Sequence, residues 1–333
     1  MINADLRTIA MSDWLENDLL MEIISCETAS NDASFRRYFR VISDQKSYIV
    51  MDAPPEKENI EAFVRVAKLL EQAGVNVPKI YQQNLEDGFL LLEDFGSVCL
   101  LDQLNIQTAG VLYQSACDAL FNLQTSVSVT ECALSHYDNA LLERELLIFE
   151  DWLLHELLDI EAPIFLWDRV KELLISSALS QPVVCVHRDY HSRNLMLLEE
   201  GSLGIIDFQD AVVGPITYDL VSLLKDCYVA WPESEIEQWM HNYYDRLLKA
   251  GLINCHLVQF KRWFDLMGMQ RHLKAVGIFS RLHLRDGKST YLQDIPRTLN
   301  YVISVCAKYP ELAEWGAYLE YQVFPKFEGY LLL

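Results

Sequence analysis

The sequence predicts an α+β fold of two lobes, a small sheet lobe followed by a larger, mainly helical one. Three observations predict it. Strand signals rich in Ile, Val, Tyr and Phe crowd the first part of the chain, up to Glu93-Asp94-Phe95-Gly96. Beyond that point most segments carry apolar residues at three- and four-residue spacing. The chain has 333 residues, 51% of them hydrophobic, and at roughly 100–200 residues per domain such a length suits two compact bodies.

Residues 5–20 read as a helix, with Leu6, Ile9, Trp14 and Leu15 on a loose apolar face. Strands follow at 21–26, 35–42 and 48–51, and the polar stretch 28–34 makes a turn between the first two. Pro54 and Pro55 end this run. A helix then carries Ile60, Phe63, Val64, Ala67 and Leu70 at helical spacing, and Gly74 caps it. Two more strands read at 75–81 and 89–92. Helical periodicity dominates 107–125, 138–159, 164–180, 233–250, 256–285 and 311–322, interrupted by one β-rich patch at 182–208.

Composition removes several function classes. The formal charge is −21, from 27 basic and 48 acidic residues. Such an excess of carboxylates argues against general duplex binding, which depends on basic side chains neutralising phosphates. No apolar stretch reaches the roughly 18 residues that span a bilayer, and the first twenty residues mix acids among apolar side chains, unlike a secretory signal. The eight cysteines are scattered, with no CxxC or Cys/His cluster, as expected of reduced thiols in a cytoplasmic protein.

The chemistry concentrates in VVCVHRDYHSRNLMLLEEGSLGIIDFQDAVVGPITYDL, residues 183–220. An apolar strand delivers His187-Arg188-Asp189 to a loop, Asn194 stands five residues past Asp189, and a hairpin-like pair ends at Asp207. Phosphoryl transfer needs this inventory: a carboxylate to accept the proton of the attacking hydroxyl, and hard oxygen ligands for Mg²⁺. H-R-D-x-x-x-x-N followed by a strand-end D-F is far more specific than any single carboxylate.

The match goes beyond that triad. His187, Asp189, His191 and Asn194, then Asp207, Gly214, Pro215 and Asp219, resemble the H-x-D-x-H-x-x-N loop and I-D-F…G-x-P…x-D-L continuation of the aminoglycoside phosphotransferase and choline-kinase-like family. The resemblance implies a protein-kinase-like fold, with a small antiparallel-sheet N-lobe, a crossing helix and a larger helical C-lobe. It implies a nucleotide-covering lobe at 1–96 that ends in the hinge, and a C-lobe at 97–333 with the catalytic loop and acceptor site. It further implies Asp189 as catalytic base, Asn194 and Asp207 as Mg²⁺ ligands, and ATP as donor. His187 and Asp219 would brace the catalytic loop, while His191 is open between bracing and substrate contact. Glu93 and Phe95 fall at the hinge that holds adenine through main-chain groups. Gln209 stands where protein kinases carry glycine, and no A-P-E follows, so the implied acceptor is a small molecule.

Within the family, DASFRRYFRV, VMDAPPE, HRDYHSRNLM and DFQDAVVGPITYDLVSLLKDCYVAWP are similar to the bacterial anomeric kinases of cell-wall recycling. Those enzymes phosphorylate the C1 hydroxyl of N-acetylmuramate and N-acetylglucosamine, and no obligate protein partner is implied. Rival readings are a kinase of another hydroxyl, such as an aminoglycoside or choline, and a nucleotide-binding module without turnover. Two departures from the family pattern stand out, and the second motivates the module, while the intact Asp189, Asn194 and Asp207 oppose it. The phosphate loop TASNDASFRR has no glycine, and the third-strand lysine position falls on uncharged Met51 or its neighbours. Ser34 is the loop's candidate phosphate contact, and Arg36, Arg37 or Arg40 is the candidate source of the missing charge.

The acidic total alone suggests a cationic ligand, but its distribution points the other way. Residues 261–308 hold nine bases and three acids, a net of +6 that leaves −27 elsewhere. Met267, Arg271, Lys274 and Arg281 share helical spacing. Arg271 and Lys274 are therefore candidate contacts for an anionic sugar such as N-acetylmuramate, against the alternative of surface salt bridges. Tyr137 and Trp152 are candidates to stack on a sugar ring, or else core residues.

Overall fold

The computed structural model describes residues 5–30, 35–198 and 201–332. They form two compact units, Met1–Leu100 with Asn194–Asp210, and Leu101–Arg193 with Ala211–Leu333. No helix among the described residues is long and apolar enough to cross a membrane.

The first unit begins with α1 (Leu6–Asp13), capped by the Asp5 carboxylate on the Thr8 N–H at 2.8 Å and prolonged by a π-helical turn at Trp14–Asp18. Then come β1 (Ile23–Ser30), β2 (Arg37–Ser43), β3 (Lys46–Asp52), α2 (Ile60–Gln72), β4 (Ile80–Asn84) and β5 (Phe89–Glu93). The strands form one antiparallel sheet in the order β1-β2-β3-β5-β4. Its register sets Phe39 opposite Val50 and Val50 opposite Leu91, and these pack with Met11, Trp14 and Leu15. One sheet face is thus the floor of α1. The expected strand at 75–81 begins only at Ile80: Val75 and Val77 are buried without pairing into the sheet. Of the expected turn at 28–34, Thr28, Ala29 and Ser30 belong to β1, and residues 31–34, with the candidate Ser34, lie outside the described residues.

The hairpin of β8 (Leu195–Leu197) and β9 (Leu203–Ile205) belongs to this unit through main-chain contacts. Leu197 N–H donates to Val98 C=O at 2.9 Å, and Ile205 N–H to Asn76 C=O at 2.8 Å. Gly204 lies under Phe95, where a Cβ would meet the ring at 2.4 Å.

The second unit holds α3 (Leu100–Gln103) except its first residue, then α4 (Ala109–Ser126), β6 (Ser135–His136), α5 (Asn139–Ile148) with a π-helical continuation at Phe149–Leu157, α6 (Ile164–Leu179) and β7 (Val183–Val186). After the hairpin it resumes with β10 (Val212–Pro215), α7 (Tyr218–Leu224), α8 (Glu233–Lys249), α9 (Leu257–Asp286), α10 (Ile295–Cys306), α11 (Ala313–Tyr318) and α12 (Phe324–Leu331). β10 lies between β6 and β7. The 30-residue α9 is the axis of the unit, buried along most of its length and packed on α5, α6, α7 and α10. At Gly277 it passes so close to the end of α5 that a Cβ would stand 2.4 Å from the Ile148 carbonyl oxygen. Backbone cannot yield as a side chain can. Gly277→Ala should therefore destabilise the protein by about 1–3 kcal/mol, read as a lower denaturant midpoint, and an unchanged midpoint would contradict this packing.

Candidate active site

The loop after β7 is held by two buried carboxylates. Asp219, in the first turn of α7 and fully buried, accepts the N–H groups of His187 at 2.7 Å and Arg188 at 3.0 Å. Burial pushes the Asp219 carboxyl up to about 7, with the two N–H groups pulling the other way. His187 Nδ1 accepts the Asp189 N–H at 3.2 Å. Asp226 accepts the Ser192 N–H at 2.9 Å and its hydroxyl at 2.5 Å. Between these anchors Arg188 adopts φ +76°, a conformation that a non-glycine residue keeps only when its surroundings dictate it.

Arg188, Lys274 and Tyr137 converge on Glu145, which is 2% exposed. Lys274 Nζ lies 3.0 Å from Glu145 Oε1 and donates to the Tyr218 hydroxyl at 3.3 Å. The Arg188 guanidinium and the Tyr137 hydroxyl also donate to the Glu145 carboxylate. This cluster bears on Asp189. Burial opposes ionisation there, but the charge of Lys274, with His191, His187 and Arg188, outweighs it and holds the carboxyl below its ordinary range.

In the first unit, Asn194 and Asp207 stand at the two ends of the β8–β9 hairpin, whose pairing the Ile206 N–H extends to the Asn194 C=O at 3.1 Å. Asn194 Nδ2 is 3.3 Å from Asp207 Oδ2, and Gln209 Nε2 donates to Asp207 Oδ1 at 2.8 Å. Asp207 has φ +65°. Gln209 Oε1 is buried with no hydrogen-bond donor among the described residues. Phe208 packs against Phe63 of α2 with ring centroids 4.9 Å apart, which fixes the chain beyond Asp207.

The candidate arginines are separated by strand parity. Arg37 shares the α1 face with Phe39, its guanidinium 5.6 Å from that ring, and is bound by Asp5 and by Asp52 at 2.9 Å. Met51 faces the other way, because its neighbour Val50 packs under α1. Arg40 is bidentate on Asp94 at 2.6 and 3.0 Å and also donates to Gly96 C=O. Arg36 pairs through Nε with Glu58, just before α2, at 3.2 Å. The Glu93 carboxylate accepts the Lys79 N–H at 3.2 Å.

Arg271 and Lys274 are on the buried side of α9, 6% and 9% exposed. Arg271 donates to Cys227 Sγ at 3.3 Å. Tyr137 is buried against Tyr218, whereas Trp152 is half-buried on the π-helical continuation of α5. His191 and Arg193 both lie against the Tyr228 ring, the guanidinium at 3.6 Å. Sequence reasoning passed over Glu145 and Asp226. Glu145 did leave a signal, since it falls on the apolar stripe Leu142, Leu146 and Phe149, where a charged residue requires partners.

Residues 25–251 match the model of the phosphotransferase enzyme family. The chain is 44% identical over 326 residues to the N-acetylmuramate/N-acetylglucosamine kinase of Pseudomonas putida, covering 94% of this chain and 95% of that one. To the enzyme of the same name from Pseudomonas aeruginosa it is 48% identical over 295 residues, 87% of this chain and 86% of that one. Among solved structures, the choline kinase LicA from Streptococcus pneumoniae aligns with a TM-score of 0.63 at 16% identity, covering 89% of this chain and 99% of that one.

Proposed function

The chain belongs to the phosphotransferase enzyme family and is a small-molecule kinase, and we propose that it transfers the γ-phosphoryl group of ATP to the C1 hydroxyl of N-acetylmuramate and N-acetylglucosamine. The observation that carries the acceptor is the 44% identity sustained over 94% of the chain to a kinase named for both sugars. The product would be a sugar 1-phosphate, made in the cytoplasm for peptidoglycan recycling. All eight cysteines are free thiols, which suits that compartment.

In this reading Asp189 accepts the proton of the attacking hydroxyl. Asp219 and Asp226 hold its loop still, so that the carboxylate is positioned before the acceptor arrives. The residues around Asp207 fit a hard divalent cation. Among the described residues no three His, Cys, Asp or Glu side chains converge on a metal site, yet Mg²⁺ commonly takes one or two carboxylates and completes its shell from phosphates and water. Asp207 supplies the carboxylate, the buried Gln209 Oε1 is an acceptor without a donor, and turning the Asn194 amide by 180° places Oδ1 where Nδ2 now stands. Asn194 and Asp207 would hold the ion, whose charge offsets that of the phosphates. The hinge main chain at Glu93 and Phe95 would take adenine. Ser34 and Arg36 are the phosphate-side candidates, since Arg37 is turned to the α1 face and engaged by Asp5 and Asp52.

The test is ADP release with N-acetylmuramate, N-acetylglucosamine, kanamycin and choline as acceptors, the product located by phosphorus NMR. Release with the two amino sugars and phosphate at C1 is the expected result. Release only with kanamycin or choline would transfer the assignment to another kinase of the family. Met51 is uncharged where a phosphate-pairing lysine was expected, and this favours the non-catalytic module as the second reading. Silence with every acceptor would favour it.

A further inference from the structure

Most of the basic island at 261–308 is spent on internal pairing. Lys261, Arg262, Arg285 and Lys308 pair with Glu237, Glu311, Asp286 and Glu233, and Lys274 with Glu145. Arg281 differs. It is half-buried on α9, forms no hydrogen bond or ion pair with any described residue, and its Nε is buried without an acceptor. The acid whose charge reaches it, Asp286, is hydrogen-bonded through both oxygens to Arg285, whose own charge opposes Arg281. A guanidinium drawn out of water without a hydrogen-bonded anion is unfavourable. Its planar fork of donors matches a carboxylate.

Its position is defined by two neighbours. The first is the catalytic loop. Lys274, whose charge acts on Asp189, lies two helical turns earlier on the same face of α9, about 10 Å along the axis. Phe279 touches Tyr228, which in turn touches His191, so the loop runs beside this stretch of α9. The second is α5. Gln270 donates to Leu142 C=O, Lys274 meets Glu145, and Gly277 abuts Ile148. The two helices therefore run parallel in this register, and the next step sets Trp152 level with Arg281.

We propose that Arg281 binds the carboxylate of an acidic amino-sugar acceptor, beside an aromatic surface offered by Trp152, and so sets the preference between acidic and neutral acceptors. This rests on the kinase reading above. The two expected acceptors are a natural pair for it, because N-acetylmuramate carries a lactyl carboxylate that N-acetylglucosamine lacks.

The test compares kcat/KM for the two sugars in the wild type, Arg281→Met and Arg281→Lys. In Arg281→Met the ratio of N-acetylmuramate to N-acetylglucosamine should fall about 10- to 100-fold, the size expected for a charge-assisted hydrogen-bonded pair, and the fall should appear mainly in KM. Arg281→Lys keeps the charge without the fork and should lie between. The melting temperature of Arg281→Met should not drop, since the arginine has no hydrogen bond or ion pair with a described residue to lose. Should that variant fail to fold, the lysine variant alone decides. An unchanged ratio in a wild-type enzyme that uses both sugars overturns this inference and leaves the kinase reading standing. A wild type that uses neither sugar overturns both.

Discussion

Asp189→Asn is expected to lower kcat by about 10²–10⁴-fold while leaving the protein folded and the KM for ATP nearly unchanged. The substitution keeps the shape of the side chain and removes its ability to take a proton. The loop should not move, because its anchors are elsewhere: Asp219 holds the N–H groups of His187 and Arg188, and Asp226 holds Ser192. A collapse of the site would instead raise both Michaelis constants and lower the melting temperature. Positioning and charge neutralisation are independent of the base and account for the residual rate. Steady-state kinetics beside thermal denaturation decide the matter. A variant keeping most of the wild-type kcat would remove Asp189 from the role of base.

The catalytic loop was legible because its residues are contiguous. Asp189, Asn194, Asp207 and Asp219 lie within 31 positions, and a strand–loop–hairpin pattern needs only local signals to place them. Amphipathic helices were legible for the same reason, α2 and α8 above all. What was hidden depended on which side of an element faces protein. Helical spacing put Met267, Arg271 and Lys274 on one face, but only the packing of α5 and α7 turns that face inward. Alternation along β2 sets Arg37 apart from Met51 once the side covered by α1 is known. α7 escaped because all seven of its residues are buried, and a helix buried all round has no polar face to mark its period. Val75 and Val77 mimicked a strand because both are buried, yet nothing in their composition says whether a neighbouring strand is present. Glu145 is the clearest omission: its partners come from positions 137, 188 and 274, which no local window can bring together.

Those partners make Glu145→Gln the largest expected change in stability. The substitution keeps volume and hydrogen-bonding capacity and removes one charge, leaving Arg188 and Lys274 buried with less to balance them. Removing one member of such a pair costs about 3–5 kcal/mol, well above the effect of an exposed ion pair. The pH dependence separates this from a packing defect. Burial raises the Glu145 pKa, but Lys274 and Arg188 together hold it below its ordinary 4.5. A carboxyl depressed on folding contributes stability that is present above its unfolded value and lost as pH falls through the folded value. The gap in unfolding free energy between wild type and Glu145→Gln should therefore be full at neutral pH and shrink as pH falls below about 4.5. A packing defect would leave the gap constant. Activity should fall as well, because the Arg188 side chain, next to Asp189 at a left-handed backbone angle, loses the carboxylate that holds it. Equilibrium urea unfolding across pH 3–7 reads the outcome, and a gap independent of pH would show that the Glu145 charge does not hold this cluster together.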